Sequence, residues 1–408
     1  MAVPNCIDIG DANDFLTKDQ NRVSGRIARS LAINSPWVNV IETGTFMAGV
    51  SDTQRSVVQE AIAPALSQCA PVWGSFTCNR PPQTVCYGST EYQYSPEQYF
   101  EKSCPLCLQT SFSAFRNSIR MVEMSYTDHI TTLWNSWIRA KLFTLSATKV
   151  VADSTATSFD QIVARGFATN FPAGRNPNSP LTFRFLKFIA NYLTHTLLAG
   201  SEFKWNNGAL GGFRLITDQQ TIDNFRNDDG IRLDLRAIAA GCCDKGMNML
   251  GSYAWLGPWQ GIEFGVDQSI IRVSGVRPDG SVCCVEPFLS EAATQGTKRV
   301  VNPAWLSAPY QISFLMAKGS FIREIPEEFL GEGLTKFERQ NWGGKITWHN
   351  VLDNCDNITG NKGFHYWNLA AAIRPERPEF VIPILHTRCV DDMGLIACTP
   401  QGYYAQCV

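Results

Sequence analysis

The 408-residue sequence is short of charge, because Asp, Glu, Lys and Arg make up only 18% of it, against roughly 25% in an average globular domain. The 35 basic and 37 acidic residues nearly cancel, leaving a formal net charge of −2. The basic excess that draws proteins to nucleic acid phosphates or anionic lipid is therefore lacking. Hydrophobic residues still make up 44%, which excludes a disordered chain. The length predicts two or three units of ordinary domain size.

Targeting and membrane segments are also lacking. The first ten residues contain no basic stretch followed by an apolar core, so we expect no signal peptide and folding in a cytosol. The most apolar helix-like run, Leu181 to Leu198, contains Arg184, Lys187 and His195. Charged residues at those positions exclude a membrane span.

Catalytic motifs are missing as well. No two of the five histidines are four residues apart, and there is no His-Glu-x-x-His. A Gly-x-Ser-x-Gly elbow, a Walker loop and a Gly-x-Gly-x-x-Gly after a strand are all lacking. We therefore expect no catalytic residue and no cofactor.

The 14 cysteines are too few for a disulfide scaffold, which needs roughly 8–10%, and in a cytosol they begin as free thiols. Three interpretations stay open: small buried thiols, a zinc site, and disulfides formed after release into an oxidising medium. Zinc would use Cys78, Cys86, Cys104 and Cys107, although the first spacing is long for a zinc knuckle. The candidates for late disulfides are Cys69, Cys78, Cys86, Cys104, Cys107, Cys389, Cys398 and Cys407.

Two helices are predicted in the middle of the chain. From about Asn117 to Leu145, apolar residues recur at spacings of three and four, which predicts one amphipathic helix, roughly 42 Å long. A second helix has Ser179 as its N-cap, Pro180 in its first turn and Gly200 as its stop. The apolar stripe of the first is Ile119, Val122, Tyr126, Ile130, Leu133 and Trp137, widened by Trp134, Ile138, Leu142 and Leu145; that of the second is Leu181, Phe185, Phe188, Tyr192, Leu197 and Leu198.

Residues 1–66 are interpreted as an arm. Asp11–Ile33 is predicted to be partly helical but interrupted at Gly25, and Trp37–Ile41 to be extended. Residues 43–58 have no amphipathic period, so they are expected to be ordered only when laid against another surface. In residues 67–113, the alternation of Thr90–Tyr94 is typical of a half-exposed strand, which favours a long β-excursion.

The rest of the chain has the pattern of a mixed domain followed by a β-rich tail, so the fold class is α+β. Asp218 is expected to cap a short helix that reaches Phe225. A turn is predicted at Pro278–Gly280, between two strands. The predicted strands are Phe213–Ile216, Ser269–Ser274, Val282–Val285, Tyr310–Leu315, Lys345–His349, Phe364–Ile373 and Phe380–His386.

Several segments of the sequence resemble known sequences. Gly44–Val58, Ala308–Leu315 with Phe321–Pro326, and Ala370–Pro378 with Arg388-Cys389 are similar to segments of a group of phage capsid sequences. Together with the order of elements, they make the chain resemble the major capsid proteins of tailed bacteriophages, which have the Hong Kong 97-like fold.

The resemblance implies a division into an N-terminal arm (1–66), an extended β-loop (67–113), a peripheral domain with the spine helix (114–202), an axial domain (203–355) and a returning C-terminal β-segment (356–408). It implies a structural protein without catalytic residues. Copies of the chain would assemble into hexamers and pentamers of an icosahedral head around double-stranded DNA.

The implied partners are the chain itself, portal, scaffold and decoration or cement proteins, and packaged DNA contacted non-specifically, with no membrane. The implied location is the virion, after assembly in the host cytoplasm. Fourteen cysteines are many for such a protein, so disulfides between subunits are a further hypothesis. Two alternatives stay open: an encapsulin-like nanocompartment shell, and a thiol or zinc enzyme centred on Cys78, Cys86, Cys104 and Cys107.

Overall fold

The computed structural model describes residues 23–46, 54–62, 86–94, 97–103, 112–166, 170–173, 175–197, 199–205, 212–227, 255–259, 261–286, 301–327, 330, 333–351, 362–388, 390–392 and 395–397. Helices and strands are mixed along these residues, which confirms the α+β class. In this part of the chain, no helix is both long and apolar enough to cross a membrane.

The helices, in chain order, are α1 (residues 23–34), α2 (Phe112–Leu145), α3 (Phe183–His195), α4 (Gln219–Asn227), α5 (Pro303–Ser307) and α6 (Lys336–Asn341). The strands are β1 (Glu42–Phe46), β2 (Gln54–Ile62), β3 (Cys86–Tyr94), β4 (Glu97–Ser103), β5 (Thr148–Val151), β6 (Val163–Arg165), β7 (Phe213–Thr217), β8 (Trp255–Trp259), β9 (Ile262–Val266), β10 (Arg272–Val276), β11 (Val282–Cys284), β12 (Tyr310–Met316), β13 (Phe321–Pro326), β14 (Lys345–Val351), β15 (Lys362–Pro375), β16 (Val381–Thr387), β17 (Val390–Asp392) and β18 (Leu395–Ala397).

A nine-stranded sheet forms the centre of the molecule, in the order β6-β5-β16-β12-β7-β9-β8, with β10 joined to β12 and β11 to β10. Alternate residues of its strands enter different cores, as the two-residue period of a strand requires. In β12, Phe314 lies in a core with α1 and α2, whereas Leu315 lies in a core with α3 and α4. The sheet is therefore covered by helices on both faces.

The strands predicted in the second half of the chain are confirmed, with small shifts at their ends. The turn at Pro278–Gly280 joins β10 to β11, and Gly280 adopts a φ of 81°, which favours glycine. The nine-stranded sheet takes strands from the segments 114–202, 203–355 and 356–408. These three segments therefore share a core.

A five-stranded sheet is organised around the long strand β15. Its first half pairs with β14 and β4, and its end pairs with β13. Strand β1 lies parallel to β13, with Thr43 opposite Arg323. The expectation that this non-amphipathic stretch is ordered against another surface agrees with the pairing of β1.

Helix α2 confirms the long predicted helix and begins five residues earlier, at Phe112. Its 34 residues correspond to roughly 51 Å. The buried line runs through Ile130, Trp134, Ile138 and Leu142. Leu133 and Trp137, expected in the stripe, are only half-buried beside that core. The centre of the buried face therefore lies about one residue further along the helix than the predicted stripe.

The second predicted helix is confirmed as α3, but its predicted ends are wrong, and Tyr192 is the one residue of the predicted stripe on its buried face. Thr182 is its N-cap, with Oγ1 accepting from the Phe185 amide at 3.2 Å, and Thr196 ends it before Gly200. Ser179 and Pro180 stay outside because they bridge to Thr387 of β16, whose amide donates to the Ser179 carbonyl. The buried face is Phe183, Leu186, Ile189, Tyr192 and Leu193, while Phe188 is 48% exposed.

Two predictions for the arm are also wrong. Helix α1 continues through Gly25, where a Cβ would lie 2.8 Å from Oε1 of Glu338. Residues 36–40 form turns rather than an extended run, because Trp37 is fully buried edge-on against Phe314, with ring centroids 5.0 Å apart. Part of the predicted arm, from Val23 to Ile41, therefore contributes to the main core.

Candidate functional site

The β-excursion predicted for residues 67–113 contributes one strand, β3, to a two-stranded ribbon, whose other strand, β2, comes from the segment predicted as the arm. Strands β2 and β3, of nine residues each, pair antiparallel from Gln54 opposite Tyr94 to Ile62 opposite Cys86. At 3.4 Å per residue the ribbon is about 30 Å long. Among the described residues neither strand pairs with a third. A lone pair of strands is marginally stable in water and is stabilised by packing against another surface.

The ribbon is attached to the body through the next strand. Strand β4 pairs with β15 from Glu97 opposite Ala371 to Ser103 opposite His365. This strand begins directly after Ser95-Pro96. The five-stranded sheet thus fixes the base of the ribbon.

A cluster that we call the Glu97 clamp ties the same point to α2. Its members are Glu97, Trp137 and Lys141. Glu97 Oε2 accepts from the Trp137 indole at 2.6 Å, and Oε1 pairs with the Lys141 ammonium. Partial burial acts to raise the pKa of Glu97, but hydrogen bonds from Lys141 and Trp137 and the charge of Lys141 bring that pKa below its ordinary value. The clamp therefore favours an ionised Glu97 at neutral pH.

Two residues before Lys141, α2 is joined to the body by a buried ion pair between Arg139 and Asp267. Asp267 Oδ2 accepts from Arg139 Nη1 and from the Trp37 indole, both at 2.7 Å, and Oδ1 accepts from the Ser269 amide and hydroxyl. Burial acts to raise the pKa of Asp267, but Arg139, Trp37 and Ser269 lower it overall. The turn after α1, the long helix and the loop before β10 are thus fixed together.

A serine–histidine pair in the central sheet has the contacts of a nucleophile and its base. Ser313 Oγ lies 2.7 Å from His386 Nε2, and His386 Nδ1 lies 2.9 Å from the Thr387 carbonyl oxygen, to which it donates. Burial lowers the pKa of His386 to about 4, so the imidazole is neutral. Both side chains are sealed between the two cores, with at most 1% exposure. A substrate cannot reach them, so the pair serves the packing of β12 against β16.

The cysteine sites of the sequence analysis fall almost wholly outside the described residues. Cys86 begins β3, whereas Cys69, Cys78, Cys104, Cys107, Cys389, Cys398 and Cys407 are not among them. Within the described ranges, no group of three His, Cys, Asp or Glu side chains could hold a metal ion. Cys283, not among the eight predicted disulfide candidates, is disulfide-bonded, and its neighbour Cys284 is free and exposed.

Sequence reasoning missed both the Glu97 clamp and the Asp267 cluster. Trp137 was assigned to the apolar stripe, whereas its half-buried ring directs the N–H to Glu97. The lysine one turn later, Lys141, was a signal for an acidic partner on that side of the helix. Nothing in the sequence pattern indicated that the partner lies 44 residues away.

Comparisons with solved structures find bacteriophage capsids. The chain is similar to the capsid of Ralstonia phage GP4, with 11% identity, 86% of this chain and 88% of that chain covered, and a TM-score of 0.47. It is also similar to the capsid of cyanophage Pam1, with 10% identity, 88% of this chain and 92% of that chain covered, and a TM-score of 0.45. For the acid-stable capsid of Helicobacter pylori bacteriophage KHP30, the identity is 12%, the coverage 87% of this chain and 92% of that chain, and the TM-score 0.42.

No protein-family model matches the sequence, and no curated protein is similar to it. The identities and TM-scores of the solved structures lie below the range in which likeness alone carries a function from one protein to another. All three are phage capsids.

Proposed function

We propose that the chain is the major capsid protein of a tailed bacteriophage, a structural subunit that assembles into hexamers and pentamers of an icosahedral head enclosing double-stranded DNA. The observation that supports this best is the β2–β3 ribbon. It extends over about 30 Å, pairs with no third strand among the described residues, and is held at its base by β4 and the Glu97 clamp. A neighbouring copy would supply the surface that the ribbon requires.

The composition suits this role. Extensive protein–protein interfaces are depleted in charge and rich in aromatic residues, and the chain combines 18% charged residues with 11 Trp, 11 Tyr and 24 Phe. Large apolar side chains remain exposed on the single chain, at Ile33, Phe188, Leu306 and Phe337. A shell contains its DNA without reading its sequence, so a net charge of −2 is compatible with packaging.

The proposal carries the finer assignments with it. The segments would be the arm (1–66), the β-loop (67–113), the peripheral domain (114–202), the axial domain (203–355) and the C-terminal β-segment (356–408). Assembly would take place in the host cytoplasm, with portal, scaffold and decoration or cement proteins as further partners, and the product would be the virion.

Negative-stain electron microscopy combined with light scattering on the purified chain tests the proposal, with and without reductant. We expect closed shells, or rings of the size of hexamers and pentamers. Shells that come apart only in reductant would locate disulfides between subunits. A 45.3 kDa monomer at high concentration that contains stoichiometric zinc would overturn the proposal in favour of the thiol or zinc enzyme. Shells that enclose a cargo enzyme instead of DNA in infected cells would overturn it in favour of a nanocompartment.

A further inference from the structure

Arg323 is a buried cation that has no carboxylate partner among the described residues. It lies on the core side of β13, 1% exposed, among the largest fully buried side chains of the described residues. Its Nη2 donates to Thr43 Oγ1 at 3.0 Å and to the Gln340 carbonyl. Across the described residues, Nε and Nη1 have no hydrogen-bond acceptor. Two of the three nitrogens of this guanidinium are therefore unmatched.

A second unmatched donor lies beside it. The guanidinium carbon of Arg323 is 4.8 Å from the ring centroid of Trp134 on α2. The Trp134 ring is 4% exposed, and its Nε1 also lacks an acceptor among the described residues. The ring face offsets part of the charge through a cation–π contact, but the indole N–H adds a further donor to a region that already has too many.

The neighbouring carboxylate is used elsewhere. Glu324, the next residue, points to the opposite side of β13, as alternate residues of a strand do, and pairs with Arg374 at 2.7 Å. Burial lowers the pKa of Arg323 to about 10, and no acidic group among the described residues offsets that effect. An arginine does not lose its proton in a protein, and an isolated buried charge is costly. The charge of Arg323 therefore requires a counter-ion.

We propose that Arg323 and Trp134 form a binding site for a small monovalent anion of the size of chloride, enclosed between β13, α2 and the last turn of α6. The site is too enclosed for a carboxylate of a second chain to enter, because both side chains lie in the core. The anion would accept from Arg323 Nη1 and from the Trp134 indole. It would neutralise a buried arginine that has no ion pair among the described residues.

The chain offers a matched control. Arg214 is also a strand arginine over an indole, with its guanidinium carbon 4.6 Å from the Trp205 ring, but its Nε donates to Glu263 at 2.7 Å. The two arginines thus differ in whether a carboxylate is present. An anion-dependent contribution to stability should depend on Arg323 and not on Arg214.

The test is the unfolding midpoint of the full chain in chloride, with gluconate replacing chloride at constant ionic strength. We expect the midpoint of the unmodified chain and of Arg214→Met to rise with chloride. Once chloride exceeds its dissociation constant, each tenfold increase should raise the folding equilibrium constant up to about tenfold. Arg323→Met should lose this dependence, and Trp134→Phe should weaken it.

A direct readout does not require the variants to fold. Crystals or ordered assemblies of the unmodified chain prepared in bromide should give an anomalous-scattering peak beside Arg323 Nη1. A midpoint independent of chloride, an equal dependence in Arg323→Met, or a water in place of bromide at these donors would each overturn the proposal.

Discussion

In the nine-stranded sheet, strands from distant parts of the sequence lie between two cores, with helices on both faces. In the β2–β3 ribbon, two strands pair with one another and, among the described residues, with no third. The body holds itself together through internal burial, whereas under the proposed function the ribbon is stabilised by a surface that another copy supplies. Folding of the body and assembly through the ribbon should therefore be separable by mutation.

The largest effect is expected from prolines in the ribbon. Adjacent residues of a strand direct their amides alternately toward the partner strand and away from it. One of the substitutions Val58→Pro and Gln59→Pro should therefore remove a backbone hydrogen bond between β2 and β3. The other should remove a backbone hydrogen bond from β2 to a surface on its outer side. We expect at least one of the two to abolish shell formation while the melting temperature of the unassembled chain stays unchanged. Sedimentation and thermal unfolding measure the two properties separately. Assembly that survives both substitutions would contradict the role of the ribbon.

The next effect concerns the body alone. Arg139→Met leaves the Asp267 carboxylate buried without its cation, which should cost about 3–5 kcal/mol of unfolding free energy. Urea unfolding of the unassembled chain measures it. As a control, Arg165→Met removes an exposed pair with Asp160 and should change stability by less than about 1 kcal/mol. Equal effects of the two substitutions would show that the buried cluster does not hold α2 to the sheet.

Acid should weaken the body through His386. The folded state lowers the pKa of His386 from 6.5 to about 4, so the unfolded chain binds the proton more readily between these values. The contribution of His386 to the unfolding free energy is fully present above pH 6.5. It is lost as the pH drops toward 4, by roughly 3 kcal/mol at most. The difference in unfolding free energy between the unmodified chain and His386→Gln, followed over this range, isolates this contribution. A difference that does not change with pH would rule it out.

The smallest effect is expected at the junction of ribbon and body. Glu97→Gln and Lys141→Met each remove the charge pair of the clamp, which is partly exposed, so global stability should change by at most about 1 kcal/mol. Hydrogen exchange of the β4 amides should nevertheless become faster. A double-mutant cycle separates the pair from other effects of the two residues, and additive changes in exchange would show that the clamp does not hold the base of the ribbon.

Local pattern predicted much of the fold. The amphipathic period of α2, the alternation in β3 and the turn at Pro278–Gly280 depend on neighbouring residues and are confirmed. Where the structure departs from prediction, the residue concerned contacts another residue that lies far away in the sequence. At Gly25, within α1, a Cβ would lie 2.8 Å from Oε1 of Glu338, which accounts for a glycine at this helical position. The turn at residues 36–40 places the Trp37 indole on Asp267.

The functional elements divide in the same way. Strand β3 could be predicted because its alternation is local, whereas its pairing with β2 of the predicted arm could not. The Glu97 clamp could not be predicted either, because Glu97 and Lys141 lie far apart in the sequence. Burial of Arg323 was equally hidden, since a single charged residue in a short strand pattern is ordinarily on the exposed side. Contacts of this kind depend on how sheets and helices pack against one another. The periodicity of residues along the chain does not predict that packing.

The central claim is that the ribbon of one chain lies on another copy of the same chain. Electron cryomicroscopy of assembled particles, at a resolution that traces β2 and β3, tests it directly. We expect the ribbon to rest on a neighbouring subunit while β4 remains paired with β15 of its own chain. A ribbon folded back on its own body, with subunit contacts made elsewhere, would contradict the account.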